Sequence, residues 1–130
     1  TYTINVNPET EITVTAGGTQ ALFAIFQSLF SKGDNVLVLD PSYDSYRPAI
    51  ELSGAKAISI SLTPPTYSID WNLVEHHITP NTKGIIINTP HNPTGSVFTE
   101  QDWVALEKLA LTHNLIVISD EVYERIIFDE

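Results

Sequence analysis

Residues 84–95 read Gly-Ile-Ile-Ile-Asn-Thr-Pro-His-Asn-Pro-Thr-Gly, and this stretch decides the fold. Three consecutive isoleucines leave no polar face, which suits a strand in a sheet covered on both sides. From Asn88 to Gly95, two prolines and two asparagines fall within eight residues. A loop that stiff holds an amide in one orientation, ready to hydrogen-bond a ligand oxygen. The plain alternative is a rigid connection with no ligand. X–Pro bonds are where cis peptides occur, so Asn92–Pro93 is a candidate.

Moving outward from this stretch, apolar pattern and punctuation alternate regularly. Downstream, Thr99 with Asp102 three residues on marks a helix start, and Val104, Leu106, Leu109, Ala110 and Leu111 carry that helix to His113. Residues 115–119 (LIVIS) then form a strand that stops at Asp120. Upstream, the loop TPPTYSID ends at Asp70, which can cap a helix running to about Ile78. AISISL at 57–62 alternates, so one of its faces is less buried than in its neighbours. Residues 43–53 form a short helix ending at Ser53-Gly54, preceded by NVLVL at 35–39 and its breaker Asp40-Pro41. At the start, ITVTA (12–16) is short and β-branched and reads as a buried strand. Gly17 and Gly18 follow it; then Leu22, Phe23, Ile25, Phe26, Leu29 and Phe30 recur at helical spacing until Gly33. Five strands separated mostly by helices predict an α/β fold: a mainly parallel sheet with helices on both faces.

Composition narrows the functions open to such a fold. Six Lys+Arg against sixteen Asp+Glu give a net charge of −10, which repels phosphate backbones and anionic lipid. No nucleic-acid or membrane partner is therefore expected, although backbone N–H groups can still seat one small phosphate. Hydrophobic residues at 42% and charged residues at 17% describe one packed domain of 130 residues. The chain has no cysteine, hence no thiol nucleophile or thiolate metal site, which fits a reducing compartment; the cytoplasm is the expected location. No apolar run approaches the ~18 residues of a bilayer span. His76, His77, His91 and His113 lack metal-ligand spacing, so no metal is expected. Neither a Gly-x-Ser-x-Gly elbow, a Gly-x-Gly-x-x-Gly turn nor a P-loop is present.

In parallel sheets ligands sit outside the carboxyl ends of strands, so the residues just after each strand matter most. Gly17-Gly18-Thr19-Gln20 opens a helix whose free N–H groups and dipole favour an anion, or is simply a tight turn. Tyr43, behind Pro41, can lie flat on a planar ring or pack at a helix start. Tyr46, one helical turn later, leans towards packing. Asp120 follows the strand LIVIS (115–119) and needs a cation or several donors, unless it caps the next turn. Tyr123 lies three residues beyond and can address the same object. Four polar segments would then converge on one edge.

Together TAGGTQAL (15–22), DPSYDSY (40–46), NTPHNPTG (88–95) and SDEVYE (119–124) resemble the large domain of class I/II aminotransferases, which are fold-type-I pyridoxal-phosphate enzymes. Order and spacing match over nearly the whole chain, and DPSYDSY is most similar to the methionine and kynurenine aminotransferase branch. The resemblance implies pyridoxal 5′-phosphate as cofactor, with Gly18, Thr19 and Gln20 at its phosphate and Tyr43 stacked on its ring. Asn92 and Tyr123 would bond the ring's 3′-oxygen, and Asp120 would pair with the ring nitrogen. It also implies an amino acid and a 2-oxo acid as substrates and a homodimeric parent.

The family's Schiff-base lysine lies beyond the Asp-Glu-x-Tyr element in relatives, and Lys32, Lys56, Lys83 and Lys108 do not match its motif. Nor do Arg47 and Arg125 match the arginine that grips the substrate carboxylate. Residues 1–130 are thus expected to be part of a single cofactor-binding large domain, with the small domain and the lysine-bearing segment elsewhere in a longer parent. No catalytic residue is expected within the chain, and the 130 residues alone should be inactive. Two alternatives remain at this stage: a carbon–sulfur β-lyase or other enzyme of the same fold type, or a non-catalytic domain that keeps the cofactor cradle. In relatives, two later strands separate ITVTA from the strand ending at Asp120. Without them the first strand must pair differently or leave exposed edges.

Overall fold

The computed structural model describes residues 4–127. Four strands, β1 (Asn35–Asp40), β2 (Lys56–Ser61), β3 (Thr82–Asn88) and β4 (Ile116–Asp120), form one sheet in the order β2-β1-β3-β4. Every pairing is parallel. Four helices accompany them: α1 (Gly18–Leu29), α2 (Tyr46–Leu52), α3 (Trp71–His76) and α4 (Glu100–His113).

Side chains alternate along a strand, so each strand feeds two cores. Val36, Val38, Ile86 and Ile118 point to one face, where Leu22, Phe26 and Phe30 of the α1 segment meet Ile50 of α2. Leu37, Leu39, Ile85 and Ile87 point to the other, where Val74 of α3 meets Leu106 and Leu109 of α4. Helices thus cover both faces, as the apolar run Ile85-Ile86-Ile87 demands. β2 has the mixed burial its alternation predicted, and it is an edge strand.

The topology follows from handedness. A right-handed crossover from β1 to β2 puts α2 on one face; the chain then turns back past β1 to β3 and β4, which puts α3 and α4 on the other. Strand order therefore reverses between β1 and β3, and their carboxyl ends diverge there to leave a crevice.

Local signals hold at the element ends. The Asp70 carboxylate accepts the N–H groups of Asn72 and Leu73. Thr99 and Asp102 form a reciprocal capping box. Asn114 ends α4 in the left-handed conformation. Gly84 lets the Phe30 ring lie against β3: a Cβ there would come within 2.7 Å of that ring. The Asn92–Pro93 peptide is cis. Among the described residues, no helix is long and apolar enough to cross a membrane.

One expected element is absent. Residues 12–16 form no strand; Val14 is 92% exposed and Ile12 is 50% exposed. A strand exists only when its N–H and C=O groups meet a neighbour's, and this segment meets none among the described residues. The helix after it starts where expected, at a Gly17 whose φ of 101° suits a residue without Cβ.

Candidate functional site

The carboxyl ends of β1, β3 and β4, with the amino end of α1, surround a cavity of about 310 Å³. Gly18, Thr19, Tyr43, Asn92, Asp120 and Tyr123 all line it. Six of the seven residues singled out from the sequence are thus brought into one hollow. The seventh, Gln20, does not line it; its side-chain oxygen accepts the Ala16 N–H at 2.6 Å and braces the turn into α1.

The α1 wall is polar through its backbone. Among the described residues no side chain caps Gly17, and no acidic residue occupies the first turn, so the leading N–H groups stay open to an anion. A Cβ at Gly18 would meet nothing within 4 Å, so this approach is open. The Thr19 hydroxyl lies 3.3 Å from the Tyr43 hydroxyl and joins this wall to the end of β1.

The turn that launches Tyr43 is fixed from behind. Ser42 donates to Asp40 Oδ1 at 2.6 Å, and the Arg47 guanidinium reaches Asp40 Oδ2 at 3.2 Å. Arg47 also bonds the Ser59 hydroxyl on β2. Burial alone would raise the Asp40 carboxyl's pKa, but hydrogen bonds from Ser42 and Ser59 and the Arg47 charge hold it below the usual carboxylate value. Arg47 is therefore spent on the scaffold, and Arg125 pairs with the adjacent Glu124.

Tyr46 has a role that the sequence did not disclose. It is 2% exposed, its ring meets Tyr43 edge-on at 5.5 Å, and its hydroxyl donates to Asp120 Oδ2 at 2.6 Å. Burial, and next the Asp120 carboxylate, push the Tyr46 phenol well above its ordinary range, so it stays a protonated donor. Asp120 Oδ1 also accepts the Val122 N–H at 3.2 Å, so the expected turn-capping role is present beside the cavity-facing one. The available signal was the spacing of the two tyrosines: three residues apart at a helix start, both can face one edge.

The loop after β3 is closed by its own bonds. His91 N–H donates to the Ser96 carbonyl at 2.8 Å, and Gly95 N–H donates back to His91 at 2.7 Å. The buried His91 ring pairs through Nδ1 with the Thr94 hydroxyl at 2.7 Å. Burial depresses its pKa and favours the neutral ring. Held this way, Asn92 reaches the cavity, and its side-chain amide has no hydrogen-bond partner among the described residues.

Fold and site define a class: a parallel α/β domain with a cradle at its topological switch point, built from a helix amino terminus, an aromatic ring, an amide and a carboxylate. The chain belongs to the family described as aminotransferase class I and II, whose profile matches residues 1–130. A methionine aminotransferase from Escherichia coli is 43% identical over 129 residues, covering 99% of this chain and 33% of that protein. A crystal structure reported with a methionine aminotransferase function, also from Escherichia coli, superposes with a TM-score of 0.92 at 44% identity over 95% of this chain and 32% of that one. The structure of N-succinyldiaminopimelate aminotransferase from Mycobacterium tuberculosis gives a TM-score of 0.93 at 40% identity over 97% of this chain and 33% of the other. The chain thus spans about a third of the length of the relatives it matches.

Proposed function

We propose that the cavity seats pyridoxal 5′-phosphate and that the parent protein transfers an amino group between an amino acid and a 2-oxo acid. One observation carries this reading: a helix amino terminus, Tyr43, Asn92, Asp120 and Tyr123 share a single hollow. The donor set fits the cofactor's chemistry end to end. Open N–H groups at Gly18 and Thr19, with the Thr19 hydroxyl, suit a phosphate dianion. The Tyr43 ring offers a face to a planar heterocycle, and the free Asn92 amide and the Tyr123 phenol offer donors to a phenolate oxygen. Asp120, held by Tyr46, offers a carboxylate to a protonated ring nitrogen, whereas the neighbouring Glu121 carboxylate accepts the Ser119 hydroxyl at 2.7 Å.

When bound, the cofactor acts as an electron sink for the substrate α-carbon. Asp120 would keep the ring nitrogen protonated, because a nearby carboxylate favours the cationic form. Tyr46, donating to Oδ2, holds that carboxylate in place without competing for the proton. None of the four lysines lines the cavity. We therefore assign the Schiff-base lysine, the substrate-gripping arginine and the small domain to other parts of the parent, and infer that this chain by itself does not transaminate. A cytoplasmic homodimer completes the proposal for the parent.

The test is a coupled assay on the full-length parent. Methionine and kynurenine are the first donors to try, since similar proteins carry those names. Amine transfer that requires a 2-oxo acid is the expected result. With a cysteine S-conjugate as a further substrate, release of thiol, pyruvate and ammonia with no need for an oxo acid would overturn it in favour of β-elimination. For the chain alone, mixing with pyridoxal phosphate and borohydride should trap no lysine; stoichiometric trapping would refute its inactivity.

A further inference from the structure

Asn88, the last residue of β3, is 3% exposed, and its side chain touches both halves of the cradle. Its Oδ1 accepts the Asn92 N–H at 2.6 Å. Its Nδ2 donates to the Asp120 backbone carbonyl at 2.8 Å. Asn92 and Asp120 are 28 residues apart in the chain and sit on different segments, yet one amide spans them. We propose that Asn88 is a positioning residue, setting the spacing between the Asn92 amide and the Asp120 carboxylate so that both meet one bound heterocycle. The inference deepens the functional reading above and rests on it.

Chemistry explains why an asparagine stands here. The bridge needs an acceptor at one end and a donor at the other, separated by one planar group, and a carboxamide supplies both. Aspartate would keep the acceptor for Asn92 but set an oxygen against the Asp120 carbonyl. Leucine keeps the shape and loses both ends. The Asp120 carbonyl has a second donor, the Thr89 N–H at 3.3 Å, whereas the Asn92 N–H relies on Asn88 alone among the described residues. The Asn92 side of the cradle should therefore suffer most.

The experiment uses the full-length parent with Asn88→Leu, and Asn88→Asp as a second variant in case the first does not fold. Three quantities are read: the dissociation constant for pyridoxal phosphate, the pH midpoint of the bound cofactor's visible absorbance, and the melting temperature of the cofactor-free protein. Losing hydrogen bonds that orient two contacts should weaken cofactor binding about tenfold or more in Asn88→Leu and by a smaller factor in Asn88→Asp. The absorbance midpoint should move in both, because it responds to the groups at the ring oxygen and ring nitrogen. In a chain already carrying Asn92→Ala, the loss caused by Asn88→Leu should shrink, since the main contact it positions is gone. A lower melting temperature with dissociation constant and midpoint unchanged would overturn the proposal and leave Asn88 a packing residue. Failure of the wild-type parent to bind the cofactor at all would sink the functional reading and this one together. Binding by the wild type with indifferent Asn88 variants would sink this one alone.

Discussion

Residues 12–16 and 84–88 both read as strands in the sequence, and only one of them is a strand. ITVTA is β-branched at four of its five positions and lies open, with Val14 92% exposed. GIIIN is paired on both sides, with Ile85 and Ile87 at 0%. Intrinsic preference does not separate them; partners do. Parallel pairing is a non-local property, and the value of a β-branched side chain comes from the surface it packs on. The site is built on the same asymmetry. Its Asn88–Asn92–Asp120 wall is bonded into the sheet, while the α1 wall is entered from an unpaired segment.

That contrast can be broken or sharpened by substitution. The largest effect belongs to chemistry carried on the paired wall. Asp120→Asn in the full-length parent should cut the transamination rate roughly a thousandfold, the loss typical of a preorganised charge contact, with circular dichroism unchanged. A near-native rate would dismiss Asp120 from its role. Next comes the buried strand itself: Ile86→Ala should cost about 2–5 kcal/mol in urea denaturation, through lost transfer energy and a cavity. Gly84→Ala in the same strand should cost about 1–3 kcal/mol by overpacking, because the new methyl would be driven into Phe30 and the Ile116 carbonyl.

A smaller effect is expected from pH. The folded His91 pKa lies below 6.5, so the unfolded chain binds the extra proton first on acidification. Its contribution is present above that pH and is lost as pH falls below it. Denaturation midpoints measured between pH 7 and 5 should decline, and His91→Asn should flatten the decline. The smallest change is the control on the unpaired segment. In the 130-residue chain, Val14→Thr should shift stability by no more than about 0.5 kcal/mol, in keeping with an exposed side chain. A cost like that of Ile86→Ala would mean that 12–16 is paired in solution and would erase the contrast.

Much of this arrangement was legible in the residues because it is locally encoded. Caps at Asp70 and Thr99, the stop after α4 and the four paired strands rest on contacts within a few positions or on simple burial pattern. Gathering Tyr43, Asn92, Asp120 and Tyr123 at one edge also followed, since a parallel sheet delivers every strand's carboxyl end to the same side, whereas Gly18 and Thr19 are held there by the packing of α1 on the sheet through Leu22 and Phe26. Tyr46 and Asn88 were harder to see. Their partners lie 74 and 32 residues away, at Asp120 in both cases, and no periodicity encodes such a pairing.

By itself the sequence determined an α/β sheet buried on both faces and the positions of its turns and caps, because hydrophobic period and turn chemistry act over a few residues; the family was carried by the resemblance of four motifs. Only the tertiary structure decided that 12–16 has no strand partner among the described residues, that Tyr46 serves Asp120, and that Asn88 joins the two halves of the cradle. Those outcomes depend on which distant groups arrive within hydrogen-bonding distance, and that is settled by strand order and crossover hand.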